Sequence, residues 1–147
     1  MALPQSPLLP VDENAEAPTP PMPKRPWRHK FGDAFRGLKL GIRGHSSFAV
    51  HFFFAALVLA AAIVLQCSLE QWCLLLGCIG IVLVAELFNS AIETLYRGLD
   101  EATKQRTWPC LDISAGAVLL ASIVATVIGI LVFVTRLWHL LYPPSVG

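Results

Sequence analysis

Glu86, Asn89, Ser90, Glu93 and Arg97 recur at three- and four-residue intervals in the stretch AELFNSAIETLYR. On a helix, at about 100° per residue, they fall within one narrow arc. Two carboxylates and an amide on one stripe suit two chemistries. They can bind a hard divalent cation that chelates nucleotide phosphates. One of them can also accept a proton from a hydroxyl as it attacks a phosphoryl group. The surrounding sequence, Trp72 to Tyr96, is apolar and long enough to cross a bilayer. Charge at membrane depth is expensive, so such residues usually face a protein interior or an aqueous cavity and mark a functional site. Glu86 lies about ten positions, or roughly 15 Å, inside the end of that segment, too deep for headgroup level. For Glu93 a local reading competes, in which Arg97 pairs with it four residues on. Asp112, after Trp108-Pro109-Cys110-Leu111, adds a carboxylate near the same end. The alternative for Asp112 is that it only caps a helix.

The elements that must position these residues are legible as apolar blocks. Of 147 residues, 55% are hydrophobic and 14% charged, against about 25% charged in soluble domains. Spans are expected at about 48–66, 72–96 and 111–134, all helical, because a lone strand cannot satisfy its backbone in lipid. The fold class is therefore all-α integral membrane. Ahead of the spans, residues 27–45 are basic, with Phe31, Phe35, Leu38 and Ile42 at helical spacing, which fits a helix lying in the interface. Residues 1–26 hold eight of the eleven prolines and read as a disordered tail. The membrane domain is 27–147.

Lys and Arg crowd the N-terminal flank, and Arg97, Lys104 and Arg106 occupy the loop between spans two and three. The loop CSLEQ between spans one and two has neither. This places the N-terminus and the second loop in the cytoplasm. Ala117, Ala121, Ala125 and Gly129 form a small-residue row on span three that lets helices approach closely. With little interior in three helices, an oligomer is expected. A net charge of +1 gives no field that calls for nucleic acid. Cys67, Cys73, Cys78 and Cys110 make no zinc spacing with the histidines. A Cys67–Cys73 disulfide is an option only on an oxidising side.

From about Phe35 to Val134 the chain resembles the bacterial diacylglycerol kinases and the related undecaprenol kinases. The likeness rests on AFRGLKLGIR, SFAVHFFFAA, AELFNSAIE and DISAGAVLLAS. AELFNSAIE is the most specific of them, matching the family's E-x-x-N-[ST]-A-I-E. The resemblance implies a homotrimeric lipid kinase of the bacterial inner membrane, with ATP as co-substrate, Mg²⁺ as cofactor and a membrane lipid as acceptor. It implies Glu86 as general base, Asn89 as its neighbouring active-site amide and Glu93 as ligand to the nucleotide-bound metal. It implies Asp112 near the nucleotide and Ala102, Thr103 and Lys104 in a loop that touches it.

Three positions depart from the family. His45 stands where a second metal-binding Glu is usual, and imidazole is a poorer Mg²⁺ ligand. Leu111 stands where a Lys precedes the Asp. Arg97 stands where Asp often follows the second Glu. SFAVH is more similar to the undecaprenol branch, where Phe-x-x-His recurs. Competing readings are a relative that has lost phosphotransfer and keeps a binding or structural role, or a small ion carrier using the same carboxylate face.

Overall fold

The computed structural model describes residues 26–43 and 47–142. The expected tail at 1–26, apart from Pro26, and the candidate metal ligand His45 lie outside the described residues. Five helices follow in order: α1 Trp27–Arg43, α2 Ser47–Val64, α3 Leu69–Arg97, α4 Glu101–Thr107 and α5 Pro109–Leu141. No strand occurs among the described residues. α2, α3 and α5 are each long and apolar enough to cross a membrane, so the chain is an all-α membrane protein with three spans. Two spans are longer than expected. α3 starts at Leu69 rather than Trp72, and α5 runs to Leu141 rather than Val134.

Local chemistry sets the ends of these helices. α2 closes where the Gln66 and Cys67 N–H groups donate to the Ile63 and Ala62 carbonyls, both at 3.0 Å. This turn puts Gln66 at φ 51°, the left-handed region that costs an L side chain roughly 1–2 kcal/mol. Gln66→Gly should therefore raise stability by about 1 kcal/mol, read as a higher melting temperature in detergent. An unchanged or lower value would mean that the Gln66 side chain makes up the cost. Ser68 then caps α3 in a reciprocal box with Gln71. From α5, Arg136 Nε donates to the Leu65 carbonyl at 2.9 Å. This satisfies a carbonyl just beyond the end of α2 that has no partner within its own helix.

Beside that turn lies the apolar core, Ala62, Leu75 and Val132, with Val58, Trp72, Ile128 and Phe133 packed on it. In lipid such packing gains little from the hydrophobic effect, because the alternative surroundings are also apolar; close fit and interhelical hydrogen bonds matter more. α5 lies along α3, and the small residues Ala117, Ala121 and Ala125 face Cys78, Ile81 and Ala85 across a hollow of about 370 Å³. Most other large apolar side chains of the spans point outward, including Phe53, Val84, Phe88 and Leu131.

α1 has no buried residue, and Trp27, Phe31 and Phe35 are exposed. It touches the bundle where Gly41 meets Leu87 of α3, since a Cβ on Gly41 would collide with the Leu87 side chain. The glycine thus allows α1 to pack close to the residue that follows Glu86. All four cysteines are free, so no Cys67–Cys73 bridge forms.

Candidate active site

At the opposite end of the bundle from the apolar core, the stripe on α3 meets polar groups from α2 and α5. Glu86 is 2% exposed. Ser47 Oγ, in the first turn of α2, donates to Glu86 Oε1. His51 Nε2, one turn further along α2, lies 3.7 Å from Glu86 Oε2. Each carboxylate oxygen therefore faces a different α2 side chain. An unpartnered carboxylate in this setting would be costly to keep charged.

A second group sits one to two turns towards the C-terminal end of α3. Ser114 of α5 donates to Asn89 Oδ1 at 2.7 Å, and also to its own helix at the Leu111 carbonyl, 2.9 Å away. The first of these bonds pins α5 to α3. Asn89 Nδ2 in turn donates to Glu93 Oε1 at 3.1 Å, and Arg97 donates to Glu93 Oε2 at 3.2 Å. Glu93 is partly exposed, unlike Glu86. The ion pair expected from the i, i+4 spacing is present, on the same carboxylate that Asn89 orients. Ser90 is buried, and its hydroxyl has no hydrogen-bond partner among the described residues.

The remaining expected site residues are less tightly assembled. Ala102, Thr103 and Lys104 lie not in an open loop but in α4, a helix of seven residues. Asp100 caps it, accepting from the Thr103 N–H at 3.0 Å and the Thr103 hydroxyl at 2.6 Å. Those two bonds hold the Asp100 carboxyl below its ordinary value, so the cap stays formed above that value and weakens as pH falls through the lowered one. Lys104 pairs with Glu101 at 2.8 Å, a bond that raises the pKa of its ammonium group. Its carbonyl accepts from Tyr96 at 3.4 Å, which ties α4 back to α3. Asp112 is exposed and does not cap α5. That helix starts with Trp108 at the cap position and Pro109 inside, without a side-chain cap bond.

Ser47 and Ser114 were not among the expected site residues, and His51, part of the Phe-x-x-His motif, was not expected at Glu86. Ser47 and His51 stand four apart at the start of an apolar span, the same spacing signal that drew notice to Glu86 and Ser90. His51 also lines an apolar groove of about 500 Å³ between α2, α3 and α5, with Phe54, Ala55, Leu83, Ala125 and Gly129 among its walls. That volume is in the range of small-molecule sites. The groove and the buried carboxylate therefore meet at one imidazole.

The model for prokaryotic diacylglycerol kinase matches residues 32–133. The chain is also similar to the undecaprenol kinase of Bacillus subtilis (strain 168), 28% identical over 107 residues that cover 73% of this chain and 87% of that one. No solved structure gives a significant match. The matched region takes in the three spans almost whole and every residue of the α3 stripe, and on that extent the chain belongs to the prokaryotic diacylglycerol kinase family and is a lipid kinase.

Proposed function

We propose that the protein transfers the γ-phosphoryl group of ATP to the hydroxyl of a membrane lipid at the cytoplasmic surface, with undecaprenol as the acceptor ahead of diacylglycerol. The observation that carries this reading is Glu86: a carboxylate only 2% exposed on a membrane helix, beside a groove that only an apolar ligand would fill. The hydrocarbon chain lies in the groove and its hydroxyl reaches Glu86. Glu86 accepts the hydroxyl proton as the oxygen attacks the γ-phosphorus. The new P–O bond forms as the bond to the β-phosphate oxygen breaks, and ADP leaves.

Glu93 is the ligand for the metal that travels with the nucleotide. Among the described residues, no three His, Cys, Asp or Glu side chains come together to hold an ion. Mg²⁺ is commonly held by one or two carboxylates plus substrate phosphates, so this donor set fits an ion delivered with ATP. Mg²⁺ held there would supply the positive charge that neutralises the phosphates. Asn89 orients Glu93. Arg97, already at that carboxylate, supplies positive charge where Leu111 replaces the family's Lys. Ala102, Thr103, Lys104 and Asp112 flank the nucleotide from α4 and the start of α5, and His45 is a second candidate ligand. A homotrimer in the inner membrane, with its N-terminus in the cytoplasm, completes the reading.

The support for undecaprenol over diacylglycerol is the Bacillus relative's named activity, together with Phe48-x-x-His51 in α2. Competition in mixed micelles tests it. With undecaprenol and diacylglycerol at equal surface concentration and limiting ATP, undecaprenyl phosphate should be the main product. Phosphatidic acid as the main product would reverse the assignment.

A further inference from the structure

Glu86 is held by α2, not by its own helix. Ser47 and His51 are one turn apart on α2, and each faces one carboxylate oxygen of Glu86. No hydrogen bond or ion pair links Glu86 to a side chain of α3 or α5 among the described residues. Ser47 makes a true hydrogen bond. The imidazole, at 3.7 Å, is beyond hydrogen-bond length, but Nε2 is the ring nitrogen nearest Oε2, and with a proton on it a small shift would make it a donor. Contacts of this kind are often long in a protein without its substrate and shorten in the reacting complex. The imidazole is also part of the groove wall. It thus stands between the path of an apolar ligand and the group that would deprotonate it.

We infer that His51 is a positioning residue for Glu86: with Ser47 holding Oε1, the imidazole fixes Oε2 and turns it towards the groove, where the lipid hydroxyl arrives. This rests on the assignment of Glu86 as the base. His51 accepts no proton from substrate and touches no phosphate. Its effect passes through one carboxylate, and that dependence separates it from a residue that merely packs α2 against α3.

A double-mutant cycle on the full chain in mixed micelles tests the inference. His51→Leu should lower kcat at least tenfold with little change in the KM for ATP. His51→Gln, which can place an N–H near the imidazole Nε2, should recover most of the loss. The decisive comparison is made in Glu86→Gln. There the carboxylate is gone, so His51→Leu should change the residual turnover less than twofold. If His51→Leu is as harmful without Glu86 as with it, or has no effect in either background, the inference is overturned. If His51→Leu does not fold, as judged by helical circular dichroism, the same cycle is run with His51→Gln and His51→Asn. The Asn amide is too short to reach Oε2, so it should lose turnover where Gln keeps it, again only while Glu86 is present; equal turnover of the two would overturn the inference. Failure of the underlying reading looks different. In that case Glu86→Gln alone would keep full turnover.

Discussion

Glu86→Gln lowers kcat by about 10² or more and leaves the KM for ATP nearly unchanged. The amide keeps the size of the side chain and can still accept from Ser47, so the α2–α3 contact survives. What is lost is proton acceptance, and general-base catalysis typically contributes about 10²–10⁴-fold. The nucleotide is unaffected because Glu86 is buried beside the groove, whereas the partly exposed carboxylate that would meet phosphates is Glu93. Initial rates over a range of ATP concentrations, at saturating lipid, separate the two parameters. A rise in KM with kcat intact would move Glu86 from the base to the nucleotide site.

Glu93→Gln should fail in the other way. Its carboxylate takes Asn89 Nδ2 on one oxygen and Arg97 on the other. Replacing it by an amide weakens a hard-oxygen ligand and releases Arg97 from its charged partner. The KM for Mg·ATP should rise about tenfold or more, in line with the roughly 1.5–3 kcal/mol carried by hydrogen bonds to charged groups. Raising Mg²⁺ should recover part of the activity. Loss of kcat alone, insensitive to Mg²⁺, would show that Glu93 does not serve the metal.

That these residues share one face of α3, with Glu86 the deeper, was legible from spacing. Glu86, Asn89 and Glu93 could be placed on one face because helical periodicity is local, and apolar length alone marked three spans. The groups that hold them were not. Ser47 and Glu86 are 39 residues apart, and their meeting depends on how α2 is rotated against α3, which no local pattern encodes. The Ser114–Asn89 bond, across 25 residues, was hidden for the same reason. α4 was missed because a seven-residue helix is marginal alone, although Asp100 with Thr103 three residues later is a capping signal. For Asp112 it is the capping alternative that does not hold. A carboxylate after Pro resembles a cap, yet α5 begins a turn earlier at Pro109, because proline fits the first helical positions without needing its missing N–H. Arg136 carried no message in the sequence, being one charge at the far end of a span. Its partner is the Leu65 carbonyl, 71 residues away.

The reaction is measured with the purified protein in mixed micelles, using ATP labelled in its γ-phosphate and a polyprenol acceptor. Label in extracted lipid and release of ADP are followed together. Wild-type protein should form lipid phosphate and ADP in equal amounts, dependent on Mg²⁺, while Glu86→Gln, equally helical and equally soluble, forms about a hundredth as much or less. Folded wild-type protein that transfers no label to polyprenol or diacylglycerol, or that releases ADP without forming a phosphorylated lipid, would contradict the assignment of this site to lipid phosphorylation.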